Sequence, residues 1–419
     1  MRWAWMLAAA VAAVLTPAGP APAQLVLEQA LGRMPPLFGT PQEYQRKGNE
    51  SIYEVARRFG VSASAIHNAN EGDLKNGDEL LLIPTERIAP LAAWEALALV
   101  GDPAASGSVS VVVNLTERNL YVYQQGQPIR CYPGAIGMRG WETPTGDFTI
   151  VNMRKNPTWF PPKWAIEEKP VPPGPKNPLG DRWMGLSAPG YGIHATIAPS
   201  SIGRYVSHGC IRMYPEHAHE LYELVRLGTP VKIIYQPLVL GYRPEEGVVY
   251  LAHHPDPYGL GEVTLEEVRK RLQQWGLAEV WDEEAAAGAV SKPQGIPAAI
   301  VGSSVKVTVD GKPVQFALAP IPRGGDWLAP VEPLAWALRA RAEIGPEGNF
   351  VSLERERQRI FLSPGDRTAL VNGQVVDLNA APQLAAGYPV VPVAAVARAL
   401  GASVGFDQAT NTVLVWSGN

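Results

Sequence analysis

The sequence predicts a multidomain chain: a small βααβ module, a mainly-β domain that is sandwich-like and carries a helix, and an α+β domain with an internal repeat. Three observations predict it. The chain has 419 residues, which at about 150 residues per domain suggests roughly three domains. Gly and Pro number 41 and 40, and short β-branched runs recur between turn signals, which suits short strands joined by stiff connections. Near the end, Val307–Val314 echoes Ala369–Val376, each a hairpin signal followed by an Ala/Leu/Arg-rich helical stretch.

Composition excludes some functions. Apolar residues make up 46% of the chain, ample for real cores, and charged residues only 18%. A net charge of −4 offers no basic footprint for nucleic acid. Residues 1–23 read as a secretory signal peptide: Arg2, then the apolar stretch Trp3–Leu15, then the small-residue cleavage site Ala21-Pro22-Ala23. The apolar stretch falls short of the ~20 residues that span a bilayer, so no membrane attachment is expected after cleavage. The expected location is outside the cytoplasmic membrane, in a periplasm or cell wall.

Taken in order, residues 24–42 read as a linker and 43–85 as the βααβ module. Ser51-Ile52-Tyr53-Glu54 is a capping box opening a helix that ends at Gly60; a second helix covers Ala63–Ala69, and a strand closes at Ile83. Residues 86–107 read as a second linker. The mainly-β domain spans 108–236: strands from Val109, Leu120, Pro128, Phe148, Arg182 and Gly190, a helix from Pro215, and a closing strand from Val231. Between them, residues 156–180 carry repeated prolines with Trp159, Phe160 and Trp164, a stiffened aromatic loop suited to a substrate wall. Residues 237–296 read as a connector with a helix over 264–275, and 297–419 as the repeat-bearing domain.

The chemistry concentrates in Ser207-His208-Gly209-Cys210-Ile211-Arg212 and in His194 upstream. A thiolate is the nucleophile of cysteine chemistry, and an imidazole titrating near neutrality is the group suited to take its proton. The Gly before the thiol permits a tight turn whose backbone N–H groups can face a developing oxyanion. Cys131, the other cysteine, sits in a strand, where an inert buried thiol is expected, although a bridge to Cys210 stays open. His217-Ala218-His219 and His253-His254 lack convergent Cys or carboxylates at zinc spacing, so no metal or other cofactor is expected.

The Ser-His-Gly-Cys-Ile-Arg run, with Ile193-His194 before it and Thr143-Pro144-Thr145-Gly146 further upstream, resembles the signature of the L,D-transpeptidases, the YkuD-type catalytic domain. Many relatives have Gly after the first His, where this chain has Ala195. The resemblance implies a peptidoglycan L,D-transpeptidase: Cys210 as nucleophile, His194 as proton acceptor and donor, and the Ala195 carbonyl orienting the imidazole. It further implies Gly209 in an oxyanion hole, and Ser207, His208 and Arg212 supporting the site or binding a substrate carboxylate. Trp159, Phe160, Trp164 and Tyr191 are the expected substrate contacts. Residues 43–85 resemble a LysM module, which implies binding to peptidoglycan glycan strands. The last domain resembles the copper amine oxidase N-terminal-like, or stalk, domain; all 7 His lie at or before His254, so it has none to offer copper. Two alternatives stay open: an L,D-carboxypeptidase on the same fold, and a non-catalytic wall-binding protein.

Overall fold

The computed structural model describes residues 22–70, 74, 79–90, 109–162, 165 and 169–418. Most of the expected signal peptide therefore lies outside the described residues. Among the described residues, no helix is long and apolar enough to cross a membrane. The expected linker of residues 24–42 is corrected: helix α1 covers Pro22–Leu31, and strand β1, Leu37–Phe38, follows it. Leu27 and Leu31 are fully buried, so this stretch hides apolar side chains that a linker would leave in water.

The small module has the expected order: β2 (Gln42–Gln45), α2 (Ile52–Phe59), α3 (Ala63–Ala69) and β3 (Leu80–Ile83). The capping box forms, Ser51 Oγ accepting from Glu54 N–H at 3.2 Å and Ser51 N–H donating to the Glu54 carboxylate at 2.7 Å. Gly60 ends α2 in the left-handed conformation. Strands β2 and β3 pair antiparallel, and Ile52, Val55, Ile66, Leu81 and Ile83 fill the space beneath the two helices. Strand β4, Arg87–Ile88, pairs with β1, where a linker was expected.

Nine strands build the next sheet: β5 (Val109–Asn114), β6 (Asn119–Gln124), β7 (Gln127–Gly137), β8 (Gly146–Lys155), β9 (Arg182–Leu186), β10 (Gly192–Ala195), β11 (Tyr205–Ser207), β12 (Ile211–Met213) and β13 (Pro230–Ile234). Their order is β11-β7-β12-β10-β9-β8-β13-β5-β6, and β6 pairs back onto β7. The 11-residue β7 is long enough to serve both neighbours, its first half on β6 and its last residues on β12. The mainly-β, sandwich-like domain thus takes the form of a closed, barrel-like sheet without an edge at that seam. Helix α4 (Pro215–Leu224) adds Ala218 and Leu221 to the core of Val111, Val113, Leu120, Ile136, Met184, Ile193, Ile211 and Met213.

The expected connector, residues 237–296, is also corrected. Strands β14 (Leu238–Arg243), β15 (Val248–His253) and β16 (Ala298–Val301) form a three-stranded antiparallel sheet. Helix α5 covers Leu265–Gln274, and α6, Glu283–Ser291, occupies a stretch expected to be linker.

The C-terminal unit forms a separate body. Both halves of the repeat appear: Lys306–Val309 pairs with Lys312–Pro313, and Thr368–Val371 with Gln374–Asp377. The two helices cover Val331–Ala337 and Val393–Ala399. A five-stranded antiparallel meander from Arg341 to Asp377 and two four-stranded sheets carry the β-structure of this unit.

Candidate active site

Side chains alternate across the closed sheet, so consecutive rows face opposite ways. Met153, Met184, Ile193 and Ile211 stand side by side on β8, β9, β10 and β12, and pack into the core. The next row, Arg154, Trp183, His194 and Arg212, therefore projects from the outer face. All four residues line a cavity of about 490 Å³ together with Ser207, His208 and Cys210.

His194 is buried at the end of β10. Its Nδ1 lies 2.6 Å from the Ala195 carbonyl, which accepts the ring N–H and leaves Nε2 as the basic nitrogen. Burial lowers its pKa to about 4; the Ala195 and Leu179 backbone groups oppose that shift and the Arg212 charge adds to it. The Trp183 indole lies nearly parallel to the imidazole, with centroids 5.9 Å apart. Trp183 is itself held by Nε1–H donating to Asn152 Oδ1 at 2.8 Å. Ala195, unlike Gly, brings a methyl group. Gly180 makes room for it: a Cβ at 180 would stand 2.6 Å from the Ala195 Cβ.

Cys210 sits in the turn between β11 and β12, with Sγ 3.5 Å from the Gly190 carbonyl. Burial raises the thiol pKa, while the Gly192 backbone and the Arg212 charge pull it down. The turn is tied at several points. Ser207 Oγ donates to the Cys210 carbonyl at 2.5 Å and accepts from Gly209 N–H at 3.1 Å. Thr143 Oγ1 donates to the Gly209 carbonyl at 2.9 Å. The Trp141 indole packs edge-on against His208, centroids 5.0 Å apart. Gly209 has φ +105°, and a Cβ there would lie 2.5 Å from the Tyr191 ring, so only Gly fits.

The Gly209 N–H donates to Ser207 Oγ, one of the bonds that tie the turn. Tyr191 packs on that turn and on the core and does not line the cavity. Trp159 and Phe160 do line it, and Trp164 lies outside the described residues. Their loop is pinned by Asn177, fully buried, whose Nδ2 donates to the carbonyls of Pro157, Val171 and Pro172 at 2.7, 3.1 and 3.2 Å. Sequence reasoning missed Arg154, Trp183 and Asn152, which no local motif marks.

Cys131 and Cys210 are both free thiols. Burial pushes the Cys131 thiol up to about 12. The histidines outside the site have other partners: His219 Nε2 meets Asp181 at 2.6 Å and His253 Nδ1 meets the Val290 carbonyl at 2.8 Å. His217 packs against Tyr132 and Tyr214.

A family model described as the L,D-transpeptidase catalytic domain matches residues 108–233, which is the closed sheet with its helix. The Bacillus licheniformis protein that bears the name L,D-transpeptidase YkuD is 32% identical over 195 residues, covering 45% of this chain and 97% of that one. The chain belongs to the L,D-transpeptidase family. YcfS of Escherichia coli K12, also named as an L,D-transpeptidase, is 32% identical over 222 residues, 49% of this chain and 65% of its own length. Among solved structures, the catalytic domain of the E. faecium L,D-transpeptidase is 25% identical and covers 31% of this chain and 100% of that chain, with a TM-score of 0.26. A second family model, described as the copper amine oxidase N-terminal domain, matches residues 308–415. The cavity, the thiol turn and the imidazole of this family member all fall inside the catalytic-domain match.

Proposed function

We propose that this chain is a secreted peptidoglycan L,D-transpeptidase that forms 3→3 cross-links between stem peptides through a cysteine acyl-enzyme. The observation that carries the reading is the gathering of Cys210, His194 and Arg212 around one cavity on the outer face of the closed sheet. Cys210 Sγ attacks the carbonyl of the third stem residue. The C–N bond to the terminal D-alanine breaks, and D-alanine leaves. The side-chain amine of a second stem then displaces sulfur from the thioester.

His194 takes the thiol proton through Nε2 and returns it to the leaving amine. With its pKa held at about 4, the imidazole is neutral at neutral pH and free to accept. Burial disfavours the thiolate as well, so the resting pair is thiol and imidazole, and the proton moves as sulfur attacks. The Ala195 carbonyl stands where a triad carboxylate would, fixing the tautomer without adding charge. The backbone N–H groups of His208, Gly209 and Cys210 form the oxyanion hole in this reading, donors typically worth about 3–4 kcal/mol each.

Residues 43–85 act as a LysM-type binder of glycan strands, supported by the βααβ order and the antiparallel β2–β3 pairing. The C-terminal unit acts as a spacer or partner-binding stalk.

Cys210→Ala is expected to abolish both D-alanine release and cross-linked dimers, read from mass spectra of muropeptides incubated with the enzyme. Cross-linking retained by the variant would reject the nucleophile. Shortened monomers without dimers from the wild type would assign the site to L,D-carboxypeptidase chemistry instead.

A further inference from the structure

The outer row of the sheet carries a cation at each end. Arg154 pairs with Trp183, Trp183 with His194, and His194 with Arg212, on four successive strands. Three inter-strand steps separate the two arginines, about 14 Å between backbones at the usual strand spacing, or roughly four residues of extended peptide. The imidazole and the indole lie between them. Both arginines line the cavity, and no Asp or Glu does among the described residues.

The next cross-strand pair, Lys155 and Arg182, is differently placed. Lys155 pairs with Glu223 at 3.1 Å, and Arg182 with Asp181 at 3.1 Å. Arg154 and Arg212 have no carboxylate partner among the described residues. Among the described residues, two guanidinium groups thus face one cleft with no acidic side chain lining it, and a planar fork of donors suits a carboxylate above other anions.

We propose that Arg154 and Arg212 anchor two carboxylates of the donor peptide, one on each side of the scissile bond, and that Arg154 selects donors by charge. The inference rests on the transpeptidase reading above. Arg212 lies two positions past Cys210 and takes the carboxylate of the leaving D-alanine, one residue beyond the attacked carbonyl. Arg154, across β10 and β9 from it, takes a carboxylate carried by a stem residue on the acyl side. Trp183 forms the floor over which the intervening peptide passes. A donor whose acyl-side carboxylate is amidated is therefore a poorer ligand.

Binding tests this without requiring turnover. Synthetic tetrapeptide donors, with a free carboxylate or a carboxamide on the residue preceding the attacked one, are titrated calorimetrically into Cys210→Ala. The acidic donor is expected to bind roughly tenfold tighter, as for one charged hydrogen-bonded contact. In Cys210→Ala with Arg154→Gln that advantage disappears, and with Arg154→Lys it returns in part. Equal affinity for the two donors, or an advantage that survives Arg154→Gln, overturns the assignment. A uniform loss on both donors overturns it too, because it marks a structural role. Failure of the transpeptidase reading shows separately, as wild-type enzyme that releases no D-alanine.

Discussion

Thr143 Oγ1 accepts from the Gly137 N–H and donates to the Gly209 carbonyl, both at 2.9 Å, in a buried position. One hydroxyl therefore ties the end of β7 to the turn that presents the thiol. Thr143→Val keeps the shape and leaves both backbone groups unpaired, at a cost of about 1–3 kcal/mol for each buried orphan. The variant is expected to melt several degrees lower and to lose at least roughly tenfold in kcat, with Thr143→Ser near wild type. A Thr143→Val enzyme with unchanged kcat would show that the turn holds itself. At this scale much of the site was legible. The Ser-His-Gly-Cys run and the Ile-His pair declare a thiol and an imidazole, and the Thr-Pro stretch belongs to the same signature. Arg154 and Trp183 were not legible. Their place depends on register across four strands, and no local run of residues encodes a neighbour some sixty positions away.

One side chain ties together several described parts of the loop between β8 and β9. Asn177 is fully buried, reaches three carbonyls, and accepts the Leu179 N–H on its Oδ1 at 2.9 Å. Trp159 and Val171 exchange two backbone bonds at 2.9 Å across the same loop. Leu179 in turn touches the His194 ring through its backbone. Asn177→Ala is expected to cost about 2–3 kcal/mol in urea unfolding, since the buried Pro157 carbonyl and two part-buried ones lose a donor. It should also raise KM for the donor peptide, because Trp159 and Phe160 lose their fixed wall. Unchanged KM would mean that these aromatics only pin the loop. The prolines announced a stiff loop, but nothing in the sequence singled out Asn177 as its clasp. The β14–β15 hairpin was missed for another reason. Its apolar runs, Leu238–Leu240 and Val248–Leu251, flank Glu245-Glu246-Gly247, yet the amphipathic helix behind them drew the reading toward a connector.

Across the whole molecule, the first module is joined to the catalytic sheet by a two-pronged Arg57–Glu216 pair at 2.7 and 2.9 Å. The Tyr214 hydroxyl reaches the Val61 carbonyl at 3.4 Å, and the Ser64 hydroxyl reaches the Gly203 carbonyl at 3.3 Å. The ion pair is exposed and contributes at most about 1 kcal/mol, so charge alone does not hold the junction. Two buried histidines set the acid limit of the fold. Burial lowers His194 to about 4 and His254 to about 3, both from 6.5, and nearby arginines add to each shift. Both folded values lie below the unfolded one, so the unfolded chain binds more protons in between. Their contribution to stability is complete above pH 6.5 and is lost as pH falls through about 4 and then about 3. Urea midpoints measured from pH 7 to pH 4 are expected to fall steadily, and a flat profile would contradict the buried neutral imidazoles. The same low value for His194 predicts that kcat/KM keeps its neutral-pH level well below pH 6.

The claim on which the account depends is covalent capture by Cys210. Wild-type protein incubated with a tetrapeptide donor, without an acceptor amine, is measured by intact mass and then by peptide mapping. The account predicts an added acyl-tripeptide mass confined to the peptide containing Cys210 and absent from Cys210→Ala. No adduct on wild-type protein that is releasing D-alanine, or an adduct that persists in the variant, would contradict it.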